Sequence, residues 1–286
     1  MTIRLRTIAI AGLAALVLAG AAGALVAWLG VYDVSATTQH TDPVYKLLDY
    51  AMRRSVQARA RSIATPGDLD TPRRAEGGLV HYRAWCIQCH GAPGVAPDPL
   101  AFGLTPAPAN LLASGRSWPP GEIFWIVKHG IKMSGMPAWA WRLSDEEIWD
   151  VVAFVRAMPR LAPVDYETMA RRAPQQPARD RLQAAAARAG EVQAGRQATA
   201  RYLCATCHTI PGFVSAQHHV GPPLDGMGTR SFIAGVLPNT PQNMVRFLQN
   251  PKAIDPLSAM PALGVTEQDA RDIAAFLGTL DKVRSK

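Results

Sequence analysis

The longest apolar pattern in the chain is an uncharged run of 25 residues from Thr7 to Val31. As a helix it would be about 37 Å long, which exceeds the roughly 30 Å hydrocarbon core of a bilayer. Arg4 and Arg6 precede the run, whereas the stretch after it is more acidic than basic. This asymmetry predicts one membrane span, with the N-terminus in the cytoplasm and the rest of the chain outside.

A cleaved signal peptide is the alternative for this segment, since Ala22, Gly23 and Ala24 form a small-residue cleavage site. The apolar run continues past that site to Val31, which a signal peptide does not need. We therefore expect a retained anchor over residues 1–31. Either interpretation places the body of the protein at the outer or periplasmic side of the cytoplasmic membrane.

Residues 32–76 form an arm in which Asp42 to Ile63 has the periodicity of an amphipathic helix. Its apolar positions lie near one face: Val44, Leu47, Leu48, Ala51, Met52 and Val56. We expect this face to pack on the globular part that follows, although a partner or lipid headgroups could cover it instead. Residues 64–76 are predicted to be a loop because they contain Pro66, Gly67 and Pro72.

The remainder is an internal repeat, with one unit over 77–159, a linker or wrapping segment over 160–189, and a second unit over 190–286. Each unit has a short helix, a Cys-x-x-Cys-His motif, a Pro/Gly-rich region, a Met-Pro pair and a final amphipathic helix. Ser144 with Glu147 predicts a capping box for the first final helix, and Thr266 with Asp269 predicts a similar cap for the second. No segment alternates like a run of strands, so the predicted fold is all-α.

The net charge of +8 does not indicate a nucleic-acid surface. The basic excess lies mainly in residues 1–76 and in residues 159–189, whereas the two units are close to balanced. A solvated basic arm and linker explain this distribution, so we expect no nucleic-acid partner.

The four cysteines of the chain all fall in two copies of one motif, and none remains for a disulfide. Cys86 and Cys89 precede His90, and Cys204 and Cys207 precede His208. Cys-x-x-Cys-His is the attachment signature of haem c, because two thiols on one helical turn reach the two vinyl groups of a porphyrin. The next residue then offers its imidazole to the iron, so the sequence predicts two covalently bound haem c groups.

Zinc binding and thiol redox chemistry are the alternatives for this motif. A structural zinc site needs four ligands, and two copies of the motif would require two such sites or one that spans the linker. A thiol redox motif would have no need of either histidine. Both alternatives therefore explain less of the pattern than haem does.

The second axial ligand of each iron is predicted to be a methionine: Met136 in the first unit and Met260 in the second. They lie 46 and 52 residues after their histidines, and each precedes a proline and the final helix. A thioether opposite a histidine raises the reduction potential of haem iron. Competing candidates are found in both units: Met133, Met158, Met227 and Met244. Candidate neighbours of the haem pockets are His129, the pair His218 and His219, and Arg230 as a partner for a propionate.

With these residues in place, both units resemble class I cytochrome c domains. The second is similar to the cytochrome c domain of caa3-type oxidase subunit II, in Gly221 to Leu224, Pro238 to Pro241 and Met260 to Leu263. The first resembles periplasmic cytochromes in Lys128 to Trp139. The resemblance implies the cysteines as attachment points, and His90 with Met136 and His208 with Met260 as axial pairs. The copper motif and second span of that oxidase subunit are missing.

The family also places a glycine and an aromatic residue eight and four positions before the first cysteine. Gly78 and Tyr82 fit this rule in the first unit. Gly195 and Tyr202 are displaced from it, so the sequence does not predict the same helix contact in the second unit.

The function predicted from these features is single-electron transfer by a membrane-anchored dihaem cytochrome that is not itself an enzyme. It would act either as a free carrier or as a fixed subunit of a larger complex. The expected partners are a quinol-oxidising complex or a dehydrogenase upstream, and a terminal oxidase or a soluble cytochrome downstream. A dihaem enzyme such as a cytochrome c peroxidase, or a haem-containing dehydrogenase subunit, is the main alternative, and a haem-based sensor or assembly factor is a third.

Overall fold

The computed structural model describes residues 2–174, 188–214 and 220–281. The chain divides into two compact units, Met1–Pro177 and Ala178–Lys286. The helices of the first unit are α1 (Thr2–Trp28), α2 (Asp42–Ala60), α3 (Pro72–Trp85), α4 (Ile87–His90), α5 (Leu111–Ser117), α6 (Pro120–His129), α7 (Asp145–Ala157) and α8 (Pro163–Arg172). Those of the second are α9 (Val192–Arg201), α10 (Pro241–Gln249), α11 (Pro251–Ile254) and α12 (Glu267–Gly278).

The all-α fold class is confirmed, with one small addition. Two strands of two residues each, β1 (Phe232–Ile233) and β2 (Leu237–Pro238), pair antiparallel in the second unit. Short 3₁₀ turns also occur in both units: Pro99–Gly103, Met158–Arg160, Cys204–Thr206 and Met227–Thr229. The strand pair closes a hairpin in the loop region and supplies no layer of the core.

Helix α1 is a candidate membrane span. Its segment Arg4–Trp28 has a mean hydropathy of 2.3 over its most apolar window, and none of that window is buried against the protein. Its apolar side chains are not covered by protein, so a bilayer is the environment that its composition fits.

Helix α2 packs on the rest of the first unit over only part of its length. This corrects the expectation that its whole apolar face would be covered. Val56 and Ala60 near its C-terminal end are buried, whereas Leu47 and Leu48 are exposed. The helix also ends at Ala60, three residues before the predicted end. Its C-terminal part is covered because it lies against α6, where a Cβ on Gly121 would lie 3.3 Å from the carbonyl oxygen of Ile63, just after α2.

Helix α3 begins at Pro72, so the predicted loop ends five residues earlier than expected. Proline fits the first turn of a helix, where its missing N–H leaves no hydrogen bond unmade. Helix α8, inside the predicted linker, packs on the first unit through Tyr166, which is buried beside Phe154. Arg83 fastens the same helix by donating a hydrogen bond of 2.6 Å to the carbonyl of Ala170.

The core of the first unit forms where α3 crosses α7. A Cβ on Gly78 would lie only 1.9 Å from the carbonyl oxygen of Asp150, so the two backbones touch at this point. Tyr82 and Phe154 pack beside the contact with ring centroids 5.0 Å apart. The predicted capping box of α7 is confirmed, since Ser144 accepts from the N–H of Glu147, whose carboxylate accepts from the N–H of Ser144.

The second unit has the same crossing, between α9 and α12. A Cβ on Gly195 would lie 1.9 Å from the carbonyl oxygen of Asp272, so the helix contact that the offsets did not predict is present. Gly195 precedes Cys204 by nine residues instead of eight, and Leu203 absorbs the additional residue with a left-handed φ of 56°. The predicted cap of α12 is confirmed, because Thr266 accepts from the N–H of Asp269.

We expect Gly195→Ala to destabilise the second unit, because the new Cβ would overlap the backbone of Asp272. Overpacking of this kind costs about 1–3 kcal/mol, and two backbones would have to separate here. Urea unfolding followed by circular dichroism measures the loss. The control is Gly278→Ala on α12, where no atom lies within 4 Å of the added Cβ, so its midpoint should equal or exceed that of the wild type. Equal midpoints for the two variants would contradict the crossing.

Candidate functional site

The first motif follows directly from the C-terminal end of α3. The carbonyl of Cys86 accepts from the N–H groups of Cys89 and His90, at 3.1 and 3.0 Å, so the motif forms one helical turn. Gly91 ends this turn with a φ of 62°, and a Cβ there would lie 2.6 Å from the carbonyl oxygen of Val95. Both the backbone conformation and the space therefore require glycine after the histidine.

The imidazole of His90 is held by a backbone carbonyl. Its Nδ1 lies 2.8 Å from the oxygen of Ala109, so Nδ1 carries the proton and donates, and Nε2 is left with its lone pair. Burial lowers the pKa of His90, and the hydrogen bond to Ala109 opposes only part of this effect. The ring is thus neutral and oriented, which is the form that binds a metal.

The second motif repeats this arrangement with different neighbours. The N–H of His208 donates to the carbonyl of Cys204 at 2.9 Å, and its Nδ1 lies 2.8 Å from the oxygen of Pro222. Gly221 lies against the ring, since a Cβ there would be 2.5 Å from the imidazole Cε1. Each unit therefore presents a histidine whose Nε2 is available and whose orientation is set by a loop carbonyl.

The four thiols are free and half-buried. Burial raises the pKa of Cys86 to about 12 and that of Cys204 to about 11. A redox-active thiol has a lowered pKa instead, because the thiolate is the reactive form. Within the described part of the chain no three His, Cys, Asp or Glu side chains converge as metal ligands. Zinc binding and thiol redox chemistry are therefore disfavoured, and the donor set fits covalent haem.

The two candidate methionine ligands share one local structure. The N–H of Met136 donates to Ser134 Oγ at 3.2 Å, and the N–H of Met260 donates to Ser258 Oγ at 3.3 Å. Both methionines are half-buried and packed against the core of their unit. Each side chain is therefore supported by the protein core and remains partly exposed.

The competing methionines lie in environments that suit a ligand less well. Met133 is 95% exposed, whereas Met158, Met227 and Met244 are buried in the cores. Met158 lines a cavity of about 210 Å³ beside His90, but it is itself 1% exposed and already surrounded by protein. The assignment of Met136 and Met260 stays a prediction, and it is favoured by the exposure of Met133 and by the burial of the other three.

The other candidate neighbours have ordinary surroundings. His129 is largely exposed and lies beside Trp125. Partial desolvation, together with the charge of Lys128, lowers its pKa. Arg230 donates to the backbone carbonyls of Pro223 and Asp225, so its guanidinium is held in the loop that follows His208. Its pairing with a propionate stays a prediction. His218 and His219 lie outside the described residues.

A hydrogen bond that the sequence motifs do not reveal fastens the first attachment segment. The hydroxyl of the buried Tyr82 donates to the carbonyl of Gly91 at 2.6 Å. The second unit has Thr199 at the corresponding position, and its hydroxyl bonds within its own helix, to the carbonyl of Gly195. The offset rule identified Tyr82 as an aromatic residue but carried no information on its hydroxyl.

The sequence motifs also do not identify the two serines that accept hydrogen bonds from the methionine N–H groups, although the sequence contains a signal for them. Ser134 and Ser258 each stand two residues before their methionine, so Ser-x-Met-Pro recurs in both units. A comparison of the two repeats, position by position, would have found it.

Comparison with known proteins agrees with this geometry. Residues 73–155 match the family model of cytochrome c oxidase, cbb3-type, subunit III, and residues 192–281 match that of cytochrome c. The chain contains two cytochrome c-type domains. Together with the apolar helix α1, these domains fit a membrane-anchored dihaem cytochrome.

One curated relative and no solved structure accompany the family matches. The chain is 31% identical over 87 residues to cytochrome c oxidase subunit 2 of Alkalihalophilus pseudofirmus. That stretch covers 30% of this chain and 25% of the relative. No solved structure gives a significant match to the chain.

We expect Tyr82→Phe to destabilise the first cytochrome c domain by about 1–3 kcal/mol, because it leaves the buried carbonyl of Gly91 without its donor. Urea unfolding followed by visible absorption measures the loss. Tyr202→Phe is the control, since that hydroxyl bonds Asp269 and the N–H of Thr266 and not the segment after His208. It should affect only the second domain. A first domain that unfolds at the wild-type midpoint in Tyr82→Phe would refute the role of this hydrogen bond.

Proposed function

We propose that this cytochrome transfers single electrons between respiratory partners at the outer face of the cytoplasmic membrane. It would carry two haem c groups. The attachment points are Cys86 and Cys89 in the first domain and Cys204 and Cys207 in the second. The axial pairs are His90 with Met136 and His208 with Met260.

The observation that carries this proposal is the matched pair of ligand supports. In both domains a loop carbonyl fixes the histidine Nδ1, and a serine hydroxyl accepts from the N–H of the methionine. Chance would not place the same two supports in repeats whose intervening sequences differ. When bound, haem c supplies a one-electron couple, and a methionine opposite a histidine raises its reduction potential.

Two irons that each held a histidine and a methionine would have no open position for a substrate, which favours electron transfer over catalysis. A dihaem peroxidase or another haem enzyme needs one iron with an open or exchangeable position. Met136 and Met260 each lie in a Ser-x-Met-Pro sequence before the last helix of their domain, and this shared setting argues against such an open site.

The location and the partners follow from weaker indications. Helix α1 is the candidate anchor, and the basic residues before it favour a cytoplasmic N-terminus. A quinol-oxidising complex or a dehydrogenase would then supply electrons, and a terminal oxidase or a soluble cytochrome would accept them. Similarity to an oxidase subunit over 87 residues favours a terminal oxidase as the acceptor.

A redox titration followed by visible spectroscopy tests the ligand assignment. We expect two low-spin transitions, together with the methionine-to-iron band at the red end of the oxidised spectrum. Met136→Ala and Met260→Ala should each remove about half of that band and lower one of the two potentials, since each deletes one thioether ligand.

Met133→Leu and Met244→Leu are the matched controls, because they remove neighbouring methionines that the proposal does not use. Both should keep the full band. A full band in Met136→Ala, together with a halved band in Met133→Leu, would overturn the assignment in the first domain. A resting high-spin haem that reacts with peroxide would favour the enzyme instead of the carrier.

A further inference from the structure

The N-terminal half of α2 exposes apolar side chains that the first unit does not cover. Leu47 is 66% and Tyr50 is 64% exposed, while Val56 on the same helix is 1% exposed. A helix of this kind usually buries its apolar residues and exposes its polar ones. These two side chains therefore need another explanation than the packing of their own domain.

Helix geometry places these residues on the side that faces away from the domain. At 100° per residue, Leu47 lies half a turn from the buried Val56, and Tyr50 and Arg54 lie within 60° of Leu47. Arg61, just after the helix, continues the same face. Read from the N-terminal end, this outward face thus passes from apolar, through aromatic, to basic.

The basic end of the face carries charge that the protein itself does not neutralise. Arg54 bonds only the amide of Gln57, and neither Arg54 nor Arg61 forms an ion pair with another residue in the described ranges. A sequence of apolar, aromatic and basic side chains matches the order of layers across a bilayer surface. Acyl chains, the interface and phosphate groups lie in that order.

The connection to α1 holds this face close to the membrane. Only 13 residues separate Trp28 from Asp42, and this connection is itself attached to the domain, since Thr105 donates to the carbonyl of Ala36 at 2.8 Å. Eight residues lead from Trp28 to Ala36, so the attachment point lies at most about 28 Å from the end of the span. The first domain is thus confined near the bilayer surface.

We propose that the N-terminal half of α2 inserts Leu47 and Tyr50 into the lipid interface, with Arg54 and Arg61 at the level of the lipid phosphates. The first cytochrome c domain would then be held in one orientation against the membrane and would not swing freely on its connection. This inference rests on α1 being a membrane span, which is part of the proposed function.

Spin labels at two positions on the same face of α2 test the proposal. Leu47→Cys and Ala58→Cys lie 20° apart around the helix and about 16 Å apart along it, so they differ in depth and not in direction. Ala58 is exposed in the domain as well. The full-length, haem-loaded protein is placed in vesicles of phosphatidylethanolamine and phosphatidylglycerol.

The four native thiols would be consumed by haem attachment, so each variant offers one reactive cysteine, and the wild-type protein should take up no label. We expect the Leu47 label to be several-fold more accessible to dissolved oxygen than to a water-soluble nickel chelate. The Ala58 label should give the reverse ratio. This pair of results would support insertion of the N-terminal half alone.

Three other results would count against the inference. A Leu47 label as open to nickel as the Ala58 label would place the face in water. Two labels equally immersed in lipid would contradict the tilt that the proposal requires. A Leu47 label shielded from both oxygen and nickel would indicate a protein partner instead of lipid. A third label, at Ala15→Cys in α1, distinguishes failure of this inference from failure of the membrane anchor. An Ala15 label in lipid would show that α1 still spans the membrane, whereas an Ala15 label in water would refute the anchor itself.

Discussion

A contact between two backbones, made possible by one glycine in each unit, underlies the rest of the structure. Gly78 lies against the carbonyl of Asp150, and Gly195 lies against that of Asp272, with room for no side chain between them. Helices α3 and α9 lead into the cysteines, and helices α7 and α12 follow the methionine loops. A single crossing therefore fixes both sides of each prospective haem site, because their distance depends on how closely these helices approach.

Each crossing is accompanied by an ion pair, although the two units form it from different elements. The carboxylate of Asp150 binds Arg74 of α3 at 2.9 Å, and that of Asp272 binds Arg188, which precedes α9, at 2.7 Å. Arg74 is 8% exposed and also binds Asp68, so it is a charge held almost entirely by carboxylates. Burying such charges costs desolvation energy, and removing either partner of a pair would leave the other charge uncompensated.

The sequence predicted those features that depend on residue type at a fixed spacing. The cap at Ser144, the cap at Thr266 and the two Cys-x-x-Cys-His turns belong to this group. It missed the Gly195 contact, because a count of residues treats an insertion as a displacement, whereas Leu203 absorbs it in one left-handed residue. It left open whether residues 160–189 form a linker or wrap the first unit, because Tyr166 is the one buried side chain of the polar, proline-containing α8.

The two sites have the same prospective ligands, so any difference between them must come from their surroundings. In the first domain Trp85 and Trp139 pack with ring centroids 6.0 Å apart, beside the first cysteine and the methionine loop. All seven tryptophans precede residue 160, so the second domain contains none. Oxidised haem iron carries one more positive charge than reduced iron, and an apolar environment penalises that charge. Where these two indoles border a bound haem, they would favour its reduced form, and the second domain has no tryptophan to do the same.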